Sequence, residues 1–164
     1  MIIAKGRKLI ATVGVLGAVL FGLGACETTP QPVRGPKTVV SSGDNVRLVG
    51  SAQKPVEIGA AFRAYQIPFS LASVPNKAVV QIEFGVVSQG LCPVTYVPTT
   101  ISVNDKLVKV LDFRLFKEGQ EKSFTVDISR GYLKKGENTI LIHTGLCQYD
   151  IDVMRLNDVT LLQR

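Results

Sequence analysis

Apolar and other side chains alternate through the middle of this chain, most clearly from Ala78 to Val86. Every second residue of that segment is apolar, and Gln81, Glu83 and Gly85 stand between the apolar positions. Successive side chains of a β-strand point to opposite faces, so a period of two buries one face and leaves the other in water. The segment is therefore predicted to be a strand with one buried face.

Further segments have the same character, and none shows a helical period. Asn104 and Asp105 separate two of them and tolerate positive φ, which predicts a hairpin turn. Many short strands joined by turns are typical of an all-β fold, here an antiparallel β-sandwich with jelly-roll topology. The further predicted strands are 45–50, 62–71, 99–103, 107–111, 122–128, 138–143, 150–156 and 159–162.

The first 25 residues have the layout of an export signal rather than of a folded segment. Lys5, Arg7 and Lys8 precede an apolar run that begins at Leu9, contains four glycines and ends at small residues. The run is shorter than the roughly 20 apolar residues that span a bilayer. Residues 1–25 are therefore predicted to be a cleaved signal peptide, and an uncleaved transmembrane anchor is the alternative.

The end of this run, Leu23-Gly24-Ala25-Cys26, resembles the lipobox of bacterial lipoproteins. The resemblance implies cleavage before Cys26, a diacylglycerol thioether on its sulfur and an acyl chain such as palmitate on its amino group. Two lipid signals are enough for stable anchoring. The protein is therefore expected to be extracytoplasmic and lipid-anchored. Glu27 stands where the inner-membrane retention signal has Asp, which favours the outer membrane and leaves open whether the domain faces the periplasm or the outside.

Cleavage before Cys26 would remove three of the nineteen basic residues and none of the thirteen acidic ones, so the mature chain would carry a net charge of +3. Its Lys and Arg residues are scattered among Asp and Glu, whereas nucleic-acid surfaces need a clustered basic patch. A nucleic-acid partner is not expected.

Lipidation of Cys26 would leave Cys92 and Cys147 in an oxidising compartment. We expect them to form one disulfide, which restricts the unfolded chain by about 4 kcal/mol in the loop-entropy model. A metal-binding or redox pair is the alternative, although neither cysteine lies in a CxxC motif.

Residues 26–43 are rich in proline and show no apolar period, which predicts a lipidated N-terminus and a flexible tether. One β-sandwich domain would then occupy residues 44–164.

Three segments follow one another in the C-terminal half: 101–108 (ISVNDKLV), 124–128 (FTVDI) and 133–140 (LKKGENTI). In this order they resemble the galactose-binding-like jelly-roll modules. The resemblance implies a hairpin, an inward-facing strand and a Gly-Glu-Asn turn, and it transfers a fold rather than a ligand site. Gly136 is expected at positive φ, and Asn138 is expected to bind backbone groups of the turn.

A candidate recognition surface follows from two Gly-Leu-Cys tripeptides, at 90–92 and 145–147, each with a tyrosine a few residues on. A disulfide would bring these segments together at one end of the sandwich, where they could bind a protein or a glycan. The alternative is that these side chains only cover the crosslink. The candidate residues are Leu91, Pro93, Tyr96, Leu146, Gln148 and Tyr149. Tyr65 and Tyr132 are expected to pack within the fold instead.

No catalytic residues are proposed, because no nucleophile motif accompanies His143, the only histidine, which is expected to be a strand residue. Asp150 and Asp152 could share a strand face and hold a structural calcium ion with Asp158. Alternating Asp residues on a solvated strand face are the simpler interpretation, so no cofactor beyond the lipid on Cys26 is expected.

The predicted function is that of a membrane-anchored, non-catalytic envelope lipoprotein that acts as a protein-interaction or assembly module, with an envelope protein as partner. Binding of carbohydrate or cell-wall glycan is the alternative, weakened by the absence of tryptophan.

Overall fold

The computed structural model describes residues 31–50, 55–90, 95–129, 131–147 and 150–163, and these residues form fourteen β-strands and one short 3₁₀ helix, Phe113–Leu115. The strands are β1 (Val33–Arg34), β2 (Thr38–Val40), β3 (Val46–Val49), β4 (Val56–Ile58), β5 (Ala64–Leu71), β6 (Ala78–Ser88), β7 (Tyr96–Val97), β8 (Thr99–Val103), β9 (Lys106–Leu111), β10 (Glu121–Asp127), β11 (Gly136–His143), β12 (Leu146–Cys147), β13 (Asp150–Ile151) and β14 (Val153–Gln163).

Two sheets make the sandwich. One is six-stranded, in the order β1-β5-β11-β8-β9 with β2 also on β5, and the other is five-stranded, in the order β10-β6-β14-β3 with β4 also on β14. A small sheet, β13-β12-β7, lies apart from them in the pairing. The predicted antiparallel jelly-roll sandwich is confirmed, with one addition, because β1 and β2 pair with β5 in parallel.

The alternating residues fill the space between the sheets. On β6 the predicted pattern is observed, because Ala78, Val80, Ile82, Phe84 and Val86 are all buried. Side chains of β5, β11 and β14 complete one continuous apolar core. A period of two with one buried face is what an antiparallel sheet with one solvated side requires.

The predicted tether is too long at its C-terminal end. Val33 pairs with Tyr65 in parallel, and the amide of Gly35 donates to the Gln66 carbonyl at 2.8 Å. Val40 is fully buried against the core. Pro36 interrupts this segment and suggests a tether, but β1 and β2 pair with β5 and Val40 packs into the core. The folded unit therefore begins by residue 33 rather than at residue 44.

The other strand predictions agree closely, with one merger and several short additions. Segments 150–156 and 159–162, predicted as two strands, are mostly one long strand, β14, with a bulge between Leu156 and Asp158. The bulge places an extra residue, Asn157, in the strand and so breaks the period of two. The strands β1, β2, β4, β7 and β12 have two or three residues each, too few for a period to be visible.

The predicted hairpin turn joins β8 to β9. Asn104 has φ 48° and Asp105 has φ 65°, the left-handed region that a two-residue turn of this type needs. Gly136 has φ 83°, as its place in the Gly-Glu-Asn turn predicted.

Asn138 is 1% exposed and serves the turn before it, as expected. Its carboxamide accepts from the Lys134 amide at 2.9 Å and donates to the carbonyls of Lys134 (2.7 Å) and Gly136 (2.8 Å). Asn104 donates to the same carboxamide oxygen at 2.8 Å, which ties this turn to the β8–β9 hairpin.

An Asn138→Ala variant is expected to lose about 2–3 kcal/mol of unfolding free energy, because buried polar groups of the turn lose their partners. Urea unfolding measures the change. Lys135→Ala, at an exposed position of the same turn, is the control and should stay within about 0.5 kcal/mol of wild type. Equal stability of the two variants would contradict this role of Asn138.

The sandwich has two distinct ends. At the loop end, defined by Arg63, Ser88, Thr99 and His143, β5 and β8 begin and β6 and β11 end. The 3₁₀ helix lies at this end because it follows the end of β9. The three-stranded sheet lies there because β7 precedes the start of β8 and β12 follows the end of β11. The opposite hairpin end carries Leu71, Ala78, Asp127 and the turn at Asn104.

None of the residues that the structure describes belongs to a helix long and apolar enough to cross a membrane. Residues 1–25 and Cys26 lie outside the described residues, so the signal peptide and the lipidation remain predictions.

Candidate functional site

The predicted recognition surface falls at the loop end, where two of its six residues are described. Tyr96 and Leu146 lie in the adjacent strands β7 and β12, in which Val97 pairs with Leu146 and Tyr96 with Cys147. Leu91, Pro93, Gln148 and Tyr149 lie outside the described residues. So do Cys92 and the side chain of Cys147, and the disulfide remains a prediction.

A fully buried carboxylate, Asp152, holds the loop end together. It accepts a hydrogen bond from the Gly90 amide at 3.1 Å, one from the Tyr96 hydroxyl at 2.5 Å and a longer one from the Thr99 hydroxyl at 3.4 Å. Its own amide donates to the Gly145 carbonyl. The prediction that Asp152 lies on a solvated strand face is therefore wrong, since the chain turns inward between β13 and β14.

Both glycines of the repeated Gly-Leu-Cys tripeptide lie at this carboxylate. Gly90 is one of its donors, and the Gly145 amide donates to the Thr99 hydroxyl at 2.8 Å. A Cβ on Gly145 would collide with the Asp152 carboxylate and approach the Val97 carbonyl to 2.7 Å. The tripeptides thus have a structural role that does not depend on the cysteines.

Tyr96 supports the loop end rather than presenting a free aromatic face. Its hydroxyl accepts from the Phe113 amide at 2.9 Å while donating to Asp152, and the Arg114 guanidinium lies 4.4 Å from its ring centroid. Asp112 holds that guanidinium with two side-chain hydrogen bonds of 2.8 and 2.6 Å. Burial and the hydrogen bond to Asp152 raise the pKa of Tyr96. Of the two interpretations, this geometry favours the structural one for Tyr96.

The acidic residues considered for calcium do not share one site. The buried Asp152 carboxylate accepts hydrogen bonds from groups of the protein. Asp158 forms an ion pair with Arg47, and Asp150 is exposed on β13. Within the described ranges, no group of three or more His, Cys, Asp or Glu side chains is placed to hold a metal ion.

His143 is the last residue of β11, where burial and the nearby charge of Arg63 lower its pKa below the usual 6.5. The unfolded chain therefore binds a proton first as pH falls, so this residue should reduce stability below pH 6.5 and have no effect above it. Comparison of unfolding free energies at pH 7.5 and 5.5 should show a smaller drop for His143→Gln than for wild type. An equal drop in both proteins would contradict the assignment.

A different surface has the character of a binding site: the outer face of the five-stranded sheet, hereafter the polar face. Four rows of side chains cross β10, β6 and β14 in register. From the hairpin end, the rows are Asp127, Val79 and Leu162; Thr125, Gln81 and Thr160; Ser123, Glu83 and Asp158; and Glu121, Gly85 and Arg155. From Val79 to Gly85 the face extends about 20 Å along the strand.

Gly85 makes the last row flat. A Cβ there would lie 2.8 Å from a Glu121 carboxylate oxygen and 3.1 Å from a terminal nitrogen of Arg155. Without it, Arg155 donates to Glu121 across the central strand at 2.5 Å, and the Asn157 carboxamide donates to the other Glu121 oxygen at 2.5 Å. The β14 bulge supplies Asn157 to this group.

Two clefts lie along the polar face. One, of about 650 Å³, is at the hairpin end and has Val79 and Leu162 on its floor and Lys77, Asp127 and Ser129 among its polar walls. The second cleft, of about 400 Å³, is lined by Glu83, Glu121, Lys122, Ser123 and Asn157.

Sequence reasoning identified the strands of this face but attached no function to it. The available signal was the outward set of β6 and β10, in which amide, hydroxyl and carboxylate side chains dominate and Lys and Arg are absent. The bulge and the strand order were needed to bring Thr160, Asn157 and Arg155 alongside.

No protein-family model matches the chain, and comparison with curated proteins gave no match. Among solved structures, it is similar to a family 35 carbohydrate-binding module from an environmental isolate, with 27% identity, a TM-score of 0.37 and coverage of 65% of this chain and 72% of that one. A family 35 carbohydrate-binding module from Clostridium thermocellum is 16% identical with a TM-score of 0.40, and the match covers 73% of this chain and 88% of that one.

The insecticidal delta-endotoxin Cry8Ea1 from Bacillus thuringiensis is 9% identical with a TM-score of 0.45, and the match covers 77% of this chain but only 25% of the toxin. All three TM-scores are below 0.5. The strand order given above therefore defines the fold class, and none of these structures assigns a ligand to the chain.

Proposed function

We propose that this chain is a lipid-anchored, non-catalytic envelope module that binds a glycan on the polar face. The observation that carries the proposal is the combination, on one sheet face, of hydrogen-bonding side chains in register with two clefts along the strands. Sugar hydroxyls both donate and accept, and the carboxylates, amides and hydroxyls of this face offer both functions. Val79 and Leu162 add an apolar floor for the C–H face of a sugar ring.

The backbone of the central strands β6 and β14 is already paired on both sides, so a ligand on this face would be held by side chains. That distinguishes the site from an exposed strand edge, which would suit an extended peptide. Because each net hydrogen bond contributes only about 0.5–1.5 kcal/mol, we expect dissociation constants of about 0.1–1 mM.

Non-catalytic action is part of the proposal. Glu83 and Glu121 line one cleft, but each already accepts a hydrogen bond from a neighbouring side chain, Glu83 from Gln81 and Glu121 from Arg155. Glu121 pairs with Arg155, Asp158 with Arg47, and Asp152 is buried among protein donors. Hydrolysis of a glycoside by paired carboxylates would need two free carboxyl groups on either side of one bond.

Retardation in native gels that contain soluble polysaccharides tests the proposal. The mature protein should be retarded by at least one neutral polysaccharide and release no reducing ends from it. Unretarded migration in a broad set of plant, fungal and bacterial polysaccharides, including cell-wall fragments, would contradict the proposal.

A protein-interaction or assembly role remains the competing proposal, with an envelope protein as partner. In-cell crosslinking followed by affinity capture distinguishes the two roles. A stoichiometric protein partner without any retained glycan would favour assembly.

A further inference from the structure

We infer that the loop end is a membrane-docking surface, at which exposed aliphatic side chains contact the lipid layer that holds the anchor. The inference rests on the proposed lipidation of Cys26, but not on glycan binding. Two independent observations support it: the place where the chain enters the fold, and the exposure of apolar side chains at the same end.

The entry point lies at the loop end. Val33 pairs with Tyr65, the second residue of β5, and β1 runs parallel to β5, so the chain enters beside the beginning of that strand. Six residues, 27–32, lie between Cys26 and Val33. The seven Cα-to-Cα steps from Cys26 to Val33 span at most about 25 Å even when fully extended. Because β1 is paired, the greatest distance between Cys26 and the folded domain is smaller than an unpaired tether to residue 43 would allow.

The same end exposes aliphatic side chains. Val39 and Leu107 are exposed near the hairpin end as well, but the loop end is the one beside the entry of the chain. Leu115, in the 3₁₀ helix, is 79% exposed, and Val97, in β7, is 49% exposed. Arg114 lies over the ring of Tyr96, which connects the 3₁₀ helix to the strand that contains Val97. Leu146 and Ile151 are half-buried and continue the row that begins at Val97 across the three-stranded sheet.

The loop end is also built to remain rigid while it carries these residues. The buried Asp152 carboxylate joins the segments at Gly90, Tyr96 and Thr99. Exposed aliphatic side chains on such a support would enter the interface without reorganising the fold.

Charges on this end are balanced rather than basic. Arg114 is paired with Asp112, and Lys117 is followed by Glu118. Arg63 and the exposed Asp150 add one charge of each sign. Docking is therefore expected to depend on apolar contact more than on anionic lipid, and so to respond weakly to salt. Docking at the loop end would leave the polar face at the side of the domain, accessible to a glycan.

The test is paramagnetic relaxation measured by NMR on the full lipidated protein in phosphatidylcholine nanodiscs that contain a gadolinium-chelate lipid. Amide signals of residues 96–97 and 113–117 should broaden strongly, and those of residues 76–78 and 104–107 should remain. In a Val97→Ser/Leu115→Ser variant the ratio of docked to undocked domain should fall about tenfold, as expected for removing two inserted aliphatic groups.

Leu107→Ser is the matched control, because Leu107 is 57% exposed at the hairpin end. It should leave the broadening pattern unchanged. Equal broadening at both ends, or an unchanged pattern in the Val97→Ser/Leu115→Ser variant, would overturn the docking inference. An intact protein mass that shows no lipid on Cys26 would also overturn the inference, because docking rests on the lipid anchor. Polysaccharide retardation of the same samples reports separately on the glycan proposal.

Discussion

An Asp152→Ala variant is expected to be the least stable single substitution at the loop end, with a loss of about 3–5 kcal/mol of unfolding free energy. The carboxylate is fully buried, and its removal leaves the Gly90 amide and the Tyr96 hydroxyl without their acceptor. A buried donor without a partner costs about 1–3 kcal/mol, and the cavity adds to that cost. Urea unfolding of the purified domain measures the loss.

Asp44→Ala, at an exposed carboxylate, is the control and should change stability by less than about 0.5 kcal/mol. A double-mutant cycle of Asp152→Asn with Tyr96→Phe should give a coupling energy well above that value, because the two side chains share a 2.5 Å hydrogen bond. Additive losses, or a stable Asp152→Ala protein, would contradict the role assigned to this carboxylate.

Replacing Gln81 and Glu83 together by alanine is expected to weaken glycan binding at least about tenfold with little change in stability. The Gln81 amide donates to the Glu83 carboxylate at 3.0 Å, and the two side chains occupy the middle rows of the polar face, where Glu83 lines the second cleft. Both side chains project outward from β6, so their removal leaves the core unchanged. Calorimetric titration of the polysaccharide selected by gel retardation measures the effect.

Gln66→Ala/Glu137→Ala is the matched control on the outer face of the other sheet. Those side chains line a separate polar cleft of about 320 Å³. Unchanged binding by the Gln81→Ala/Glu83→Ala variant, together with weaker binding by the control, would move the ligand site to the six-stranded sheet.

Whether the sequence predicts a strand of this fold depends on how many residues the alternating pattern covers. The long alternating segments, such as Ala78 to Val86, predicted both the strands and their buried faces. The hairpin turn at Asn104 and Asp105, the positive φ of Gly136 and the role of Asn138 also followed from local chemistry. Short strands such as β1 and β2 were missed, because two or three residues carry no period and prolines suggested a tether.

The candidate sites were harder to predict for a different reason. Asp152 resembles an exposed strand residue in the sequence, and only the inward turn between β13 and β14 shows that it is buried. The polar face depends on register across three strands that are distant in the chain, and a bulge at Asn157 shifts that register. Such long-range juxtapositions leave no local pattern to read.

The measurement that tests the glycan proposal most directly is an NMR titration of the isotope-labelled domain with the retained polysaccharide or its oligomers. Shifts are expected in the amides of residues 79–85, 121–127 and 155–162, which span the polar face, with dissociation constants of about 0.1–1 mM. Residues 64–70 and 99–103 should not shift. Shifts confined to the loop end or to the six-stranded sheet, or no shifts with any glycan, would contradict the account.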